Sequence, residues 1–195
     1  MALSVAPLTG SALNTALDDL ARLRIAVFRD FPYLYDGTLD YEARYLSKFA
    51  EAKDAIIVAA RDDGRIVGCA TGSALAAHHE QFGAPFRAAG YDLDAIFYCG
   101  ESVLLPDYRG HGLGHAFFDQ REAHARARGY RYSTFCAVIR PADHPLRPID
   151  YRPLDAFWQK RGYRRVEGLV TDFEWKDIDA AQPTKKPMQF WMRPL

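Results

Sequence analysis

Apolar and polar residues along this chain follow two rhythms, and the switches between them outline its elements. Leu3 to Leu8 reads as a first strand. Leu13, Leu17, Leu20, Leu23 and Val27 fall near helical spacing, which predicts a helix capped by Asn14 and ending at about Phe28. Asp30 to Leu39 is an aromatic loop, after which Asp40 caps a short helix whose Tyr41, Tyr45 and Phe49 recur every four residues. Ala55 to Ala60 and Arg65 to Ser73 read as strands joined at Asp62-Asp63-Gly64, a strong hairpin signal. Leu75 to Asp92, with Gly83, Pro85 and Gly90 inside it, reads as an irregular or partly helical excursion.

The second half repeats strand and helix more plainly. Leu93 to Leu105 predicts a central strand ended by Pro106, which has no N–H to donate. Leu113 to Arg128 predicts a helix with Leu113, Ala116, Phe117, Ala123 and Ala127 turned inward and Gly129 as its stop. Arg131 to Ile139 is a strand, and Arg140 to Pro153 a proline-rich loop too long for a simple connection. Leu154 to Arg161 is a short helix closed by Gly162, followed by strands over Tyr163 to Trp175 and Met188 to Met192. The order is β-α-α-β-β-β-α-β-α-β-β: an α/β chain forming a single domain over residues 1–195, with no internal repeat.

One junction carries chemistry. Val103-Leu104-Leu105-Pro106-Asp107-Tyr108-Arg109-Gly110-His111-Gly112-Leu113-Gly114-His115 runs from strand through a glycine-rich turn into a helix. Glycine lets backbone approach a ligand, and a helix N-terminus offers unpaired N–H groups and a positive dipole end, a combination suited to a diphosphate. The dinucleotide pattern G-x-G-x-x-G fails because the sixth position is His115, and no G-x-x-x-x-G-K-[ST] run exists. R-x-x-G-x-G, from Arg109 to Gly114, does fit. It resembles the pyrophosphate loop of the GNAT superfamily of acyl-CoA-dependent N-acetyltransferases. Phe157-Trp158-Gln159-Lys160-Arg161-Gly162-Tyr163 is similar to that family's late helix-to-strand signature.

The resemblance implies a central mixed sheet flanked by helices, with the glycine loop between the fourth strand and third helix. It implies acetyl-CoA as cosubstrate, with Arg109, Gly110, His111, Gly112, Leu113, Gly114 and His115 around the pyrophosphate and Val103 and Leu104 bonding the pantetheine through their main chain. A strand N–H in the same run would stabilise the oxyanion, a contribution of roughly 3–4 kcal/mol. An amine would attack directly, without an acyl-enzyme. Glu101, a lone carboxylate in an apolar strand, is the first candidate for the base because desolvation would raise its pKa; a paired structural Glu is the competing reading. Asp94, Tyr98 and a water relay are the alternatives. Where the late helix of the family usually carries a tyrosine, this chain has Trp158, a donor but no practical acid, and Tyr151 stands seven residues earlier as a substitute acid or a packing residue.

Substrate contacts are expected from Tyr33, Tyr35, the His78-His79 pair and Arg140 to Arg152. The two histidines lack a convincing third metal ligand, so no metal is expected. Arg121, Arg126, Arg128, Arg131, Arg164 and Arg165 read as a solvated face.

Composition narrows the partners. Twenty-five basic and twenty-five acidic residues leave no net charge to draw the chain to nucleic acid or an anionic membrane. The N-terminal residues do not read as a signal peptide, and no apolar run approaches a transmembrane length. Cys69, Cys99 and Cys136 are odd in number, far apart and in apolar segments, which suits buried reduced thiols in a cytoplasmic protein. The partner expected is an amine-bearing small molecule, peptide or protein; the C-terminal strand could also pair between chains as a homodimer. The competing classes are an acyl-CoA-binding sensor or assembly subunit without turnover, and an acyltransferase for a longer chain or an O-acceptor.

Overall fold

A computed structural model describes residues 2–78 and 80–195. Seven strands form one sheet in the order β1-β2-β3-β4-β5-β7-β6: β1 Leu3–Leu8, β2 Ile56–Asp62, β3 Arg65–Ala74, β4 Ile96–Leu104, β5 Tyr132–Val138, β6 Arg164–Trp175 and β7 Thr184–Pro194. All neighbours are antiparallel except β4 and β5. The helices are α1 Ser11–Phe28, α2 Leu39–Ala50, α3 Glu80–Ala88, α4 Leu113–Ala127 and α5 Asp155–Lys160. This is a mixed α/β architecture with helices on both faces.

Side chains alternate across the strands, so each strand feeds two cores. Ile57, Cys69 and Val103 pack with Leu20, Leu23, Leu46 and Phe49 of α1 and α2. Val58, Ala70, Phe97 and Cys99 point the other way, onto Leu113, Phe117 and Phe118 of α4. Ile96, Tyr98 and Cys136 meet Phe82 and Phe86 of α3. Each such large apolar side chain contributes about 1.5–3 kcal/mol when fully buried.

Several local expectations shift. The β2–β3 hairpin turns at Asp63 and Gly64, both at positive φ (46° and 86°), as its sequence predicts. Asn14 is not a cap: Gly10 precedes α1 and its carbonyl accepts from the N–H groups of Leu13 and Asn14. Thr38, not Asp40, precedes α2, leaving Asp40 in the first turn near the positive dipole end. The segment read as irregular or partly helical contains α3, which runs through Pro85. Proline has no N–H for the carbonyl four residues back, and Thr171 Oγ1 donates to that carbonyl, Gln81 O, at 2.7 Å. Strand β7 is longer than its apolar run because its paired backbone extends from Thr184 to Pro194. On α4, Ala123 and Ala127 are exposed, and Phe118, Arg121 and Glu122 lie inside instead. No helix among the described residues is long and apolar enough to cross a membrane.

Candidate active site

The site grows from a divergence in the sheet. β4 and β5 pair in parallel only over Ile96–Tyr98 with Tyr132–Thr134. Beyond that point β4 stays with β3 and β5 stays with β7, so a slot opens between them. Leu105 N–H donates to Val67 O at 3.0 Å. Antiparallel alternation then directs the main chain of Val103 at Cys69 in β3, and that of Ser102 and Leu104 at the open slot. Of the two residues expected to bond the pantetheine, Leu104 has its main chain on the slot side. Val103 does not: its main chain faces the β3 ladder and its side chain is buried against α1 and α2.

A β-bulge marks the slot. Ala70 pairs with Ser102 and Gly72 with Cys99, so Gly100 and Glu101 together oppose Thr71. A Cβ on Gly100 would lie 2.6 Å from Thr71 Oγ1, which explains the glycine. The carbonyls left out of the ladder are taken by Arg121 from α4, whose Nη1 donates to Thr71 O at 3.1 Å and to Glu101 O at 2.9 Å. Its Nη2 donates to Ser102 Oγ at 2.8 Å and its Nε to Phe117 O at 3.2 Å. Arg121 is therefore no part of a solvated face, although Arg126, Arg128, Arg131, Arg164 and Arg165 are exposed.

Glu101 is not the lone carboxylate its strand suggests. Arg24 of α1 lies between Glu42 of α2, which accepts from its Nε, and Glu101, which forms an ion pair with its Nη1. Tyr45 Oη donates to Glu101 Oε2 at 3.4 Å. The desolvation argument assumed no partner, and Arg24 supplies one. Burial opposes the Arg24 charge, but Glu101, Tyr45 and Glu42 outweigh it and hold the guanidinium protonated. Burial and the Glu101 carboxylate push the Tyr45 phenol up.

The glycine loop stands at the end of β4. A single turn, Pro106–Tyr108, intervenes between strand and loop, anchored by Tyr108 Oη donating to Asp62 Oδ2 at 3.0 Å. Gly110 and Gly112 have φ of 83° and 80°, with nothing within 4 Å of a Cβ built on either. Ala116 N–H makes the first α4 bond, to Gly112 O at 3.2 Å, which leaves the earlier N–H groups without helical acceptors. Arg109, His111 and His115 are exposed, His115 lying 4.8 Å from the Phe157 ring, while Leu113 is buried. An anion could therefore meet the main chain of Leu113, Gly114 and His115, with Arg109 beside it.

Trp158 packs on Phe135 (4.9 Å) and Trp191 (5.2 Å). Tyr151 sits edge-on to Phe31 at 4.7 Å beneath Arg147, and burial raises its phenol. Burial, with Cys136, Glu101 and Tyr151 adding to it, raises the Tyr33 phenol. Cys136 Sγ and Tyr98 Oη are 3.2 Å apart, and burial pushes that thiol up to about 12, far from a nucleophile's range. His78 Nε2 bonds Ser73 Oγ at 2.8 Å; His79 lies outside the described residues. Among the described residues no group of side chains has the makings of a metal site. Asp94 is exposed, one residue before Ala95 in the turn that precedes β4. An open depression of about 420 Å³ lined by Arg140, Asp177 and Lys186 shares no residue with the slot or the glycine loop.

Arg24 and Glu42 escaped the sequence reading and Arg121 was placed on a solvated face, yet a signal existed. Each lies four residues from a core side chain on its own helix (Leu20, Leu46 and Phe117), hence on the buried stripe.

Residues 20–149 match the family described as the acetyltransferase (GNAT) family. No curated protein matches the chain. Among solved structures, a ribosomal-protein-alanine N-acetyltransferase from Brucella melitensis is 12% identical with a TM-score of 0.64, over 98% of this chain and 99% of that one. A GCN5-related N-acetyltransferase from Kribbella flavida is 16% identical with a TM-score of 0.60, over 100% and 98%. An aminoglycoside 6'-N-acetyltransferase complexed with coenzyme A is 15% identical with a TM-score of 0.62, over 100% and 97%. At these identities the likeness concerns the fold.

Proposed function

Because the chain belongs to the acetyltransferase (GNAT) family, we propose that it transfers the acetyl group of acetyl-CoA to a primary amine of a small molecule, peptide or protein side chain. The observation that carries this reading is the slot: an unpaired β4 edge leading to an unobstructed glycine turn and a helix N-terminus. Those parts suit the cosubstrate in turn. The N–H groups of Leu113, Gly114 and His115, with Arg109, would hold the diphosphate; Gly110, His111 and Gly112 would supply the turn that admits it. The Ser102 carbonyl and the main-chain groups of Leu104 would hold the amide-bearing arm as an added strand.

In the reaction the amine nitrogen attacks the thioester carbon, the carbonyl becomes an oxyanion held by a β4 N–H, and the amine's extra proton leaves. Glu101 is the acceptor for that proton, paired with Arg24 and adjoining the bulge. The C–S bond then breaks and the thiolate takes a proton, from Tyr151 or from water. We take residues 1–195 as one domain, supported by the single sheet that the seven strands of the described residues form, and three buried thiols suit a reducing compartment such as the cytoplasm.

Calorimetric titration with acetyl-CoA, CoA and ATP, followed by turnover across a panel of primary amines, tests this reading. Acetyl-CoA binding without ATP binding, and turnover with any amine, are the expected results. Binding without turnover across the panel would favour an acyl-CoA sensor. Failure to bind either CoA species would sink the proposal.

A further inference from the structure

Arg121 is the charged side chain whose surroundings the reaction scheme leaves unused. It is 1% exposed, and among the described residues no carboxylate lies within ion-pair distance of it. Its partners are carbonyl and hydroxyl oxygens, with the Phe118 ring 4.7 Å below. Burying a guanidinium is costly unless its donors are satisfied. Here three of the four acceptors, Thr71 O, Glu101 O and Ser102 Oγ, belong to the bulge at the mouth of the slot, and the fourth, Phe117 O, to α4 itself.

The Glu101 carbonyl and the Ser102 N–H belong to the same peptide unit. In a planar trans peptide the two point in opposite directions. Arg121 grips the carbonyl from the α4 side at 2.9 Å, and the β3 register turns the Ser102 N–H toward the open slot. A carbonyl that accepts from a cation polarises its peptide, and the N–H at the other end becomes a stronger donor. Bulged backbone outside the ladder would otherwise be free to rotate, and the Nη1 bridge to Thr71 O pins it to β3.

We propose that Arg121 is a positioning residue that fixes and polarises the Glu101–Ser102 peptide, making the Ser102 N–H the donor to the thioester carbonyl. The inference rests on the acetyl-transfer reading above and adds to it which peptide does the work and what charges it. Arg121 itself acts through that peptide, because it is buried and its donors are taken by protein oxygens.

Infrared spectroscopy of [1-¹³C]acetyl-CoA bound to the whole protein tests this without an acceptor. In the wild type the labelled carbonyl stretch should fall below that of free acetyl-CoA. Arg121→Met should lose most of that shift, and Arg121→Lys, which keeps a charge but not the fork, should retain part of it. Affinity for CoA itself should be unchanged by calorimetry. With the best amine of the panel, kcat should drop about tenfold in Arg121→Met, less than the 10²–10³ lost with a whole oxyanion donor, while the KM for acetyl-CoA holds. If Arg121→Met fails to fold, Arg121→Lys decides alone. An undiminished shift in a folded variant, or an unshifted carbonyl in the wild type, would overturn the proposal. A wild type that does not bind acetyl-CoA at all would overturn the acetyl-transfer reading instead.

Discussion

Arg140 grips Asp177 with both terminal nitrogens, Nη1 to Oδ2 at 2.8 Å and Nη2 to Oδ1 at 3.0 Å. The same guanidinium donates to the carbonyls of Pro32 and Tyr33, both at 2.8 Å. It therefore ties the α1–α2 loop to the turn between β6 and β7. Two further bonds reinforce the tie, Asp36 N–H to Lys176 O and Ile178 N–H to Leu34 O.

Asp177 makes this clamp pH-sensitive. Burial alone would raise its carboxyl, but Arg140 and Lys186 outweigh burial and hold it below the usual range. A depressed folded pKa contributes stability that is present above the unfolded value, about 4, and is lost as pH falls through the folded one. Urea denaturation should therefore show wild-type stability declining more steeply below pH ~4 than that of Asp177→Asn. Parallel declines would refute the assignment.

Arg24 neutralises buried carboxylates on two other elements. Arg24→Met should cost about 3–5 kcal/mol, because Glu42 and Glu101 would remain buried without a cation. Adding Glu42→Leu should recover part of that loss. Chemical denaturation of the single and double variants measures both, and no recovery would mean that packing, not charge, sets the cost.

Gly112→Glu places a carboxylate and a Cβ where the diphosphate is proposed to sit. The φ of 80° makes any L residue there strained by roughly 1–2 kcal/mol, a cost the fold should survive. Acetyl-CoA binding should vanish in calorimetry while the circular dichroism spectrum is retained. Normal binding would remove the diphosphate from this turn.

Glu101→Gln keeps the shape of the side chain and removes its charge. Turnover should fall by about 10²-fold or more, the scale of general base catalysis, with affinity for acetyl-CoA little altered. The Arg24–Glu42 pair remains to hold α1 against α2. Unchanged turnover would pass the proton to water.

Much of the fold was legible because its causes are local. The periodic stripes of α1 and α2, the Asp63-Gly64 turn and Pro106 after β4 act within a few residues, through backbone geometry and hydrogen-bonding capacity. The glycine turn was legible for the same reason: Gly110 and Gly112 occupy a left-handed region that other residues avoid. Helix α3 was legible only in part, since Pro85 reads as a breaker until Thr171, far along the chain in β6, supplies the donor for Gln81 O.

Residue order carried most of the element types, the strand-to-helix glycine junction and the residues able to carry charge. Tertiary structure alone decided how those charges are spent. Glu101 looks solitary in its strand until Arg24 is brought across from α1, and Arg121 looks solvated until α4 lies against the β4 bulge. Backbone preference depends on neighbouring residues, whereas the state of a buried charge depends on whichever groups folding carries next to it.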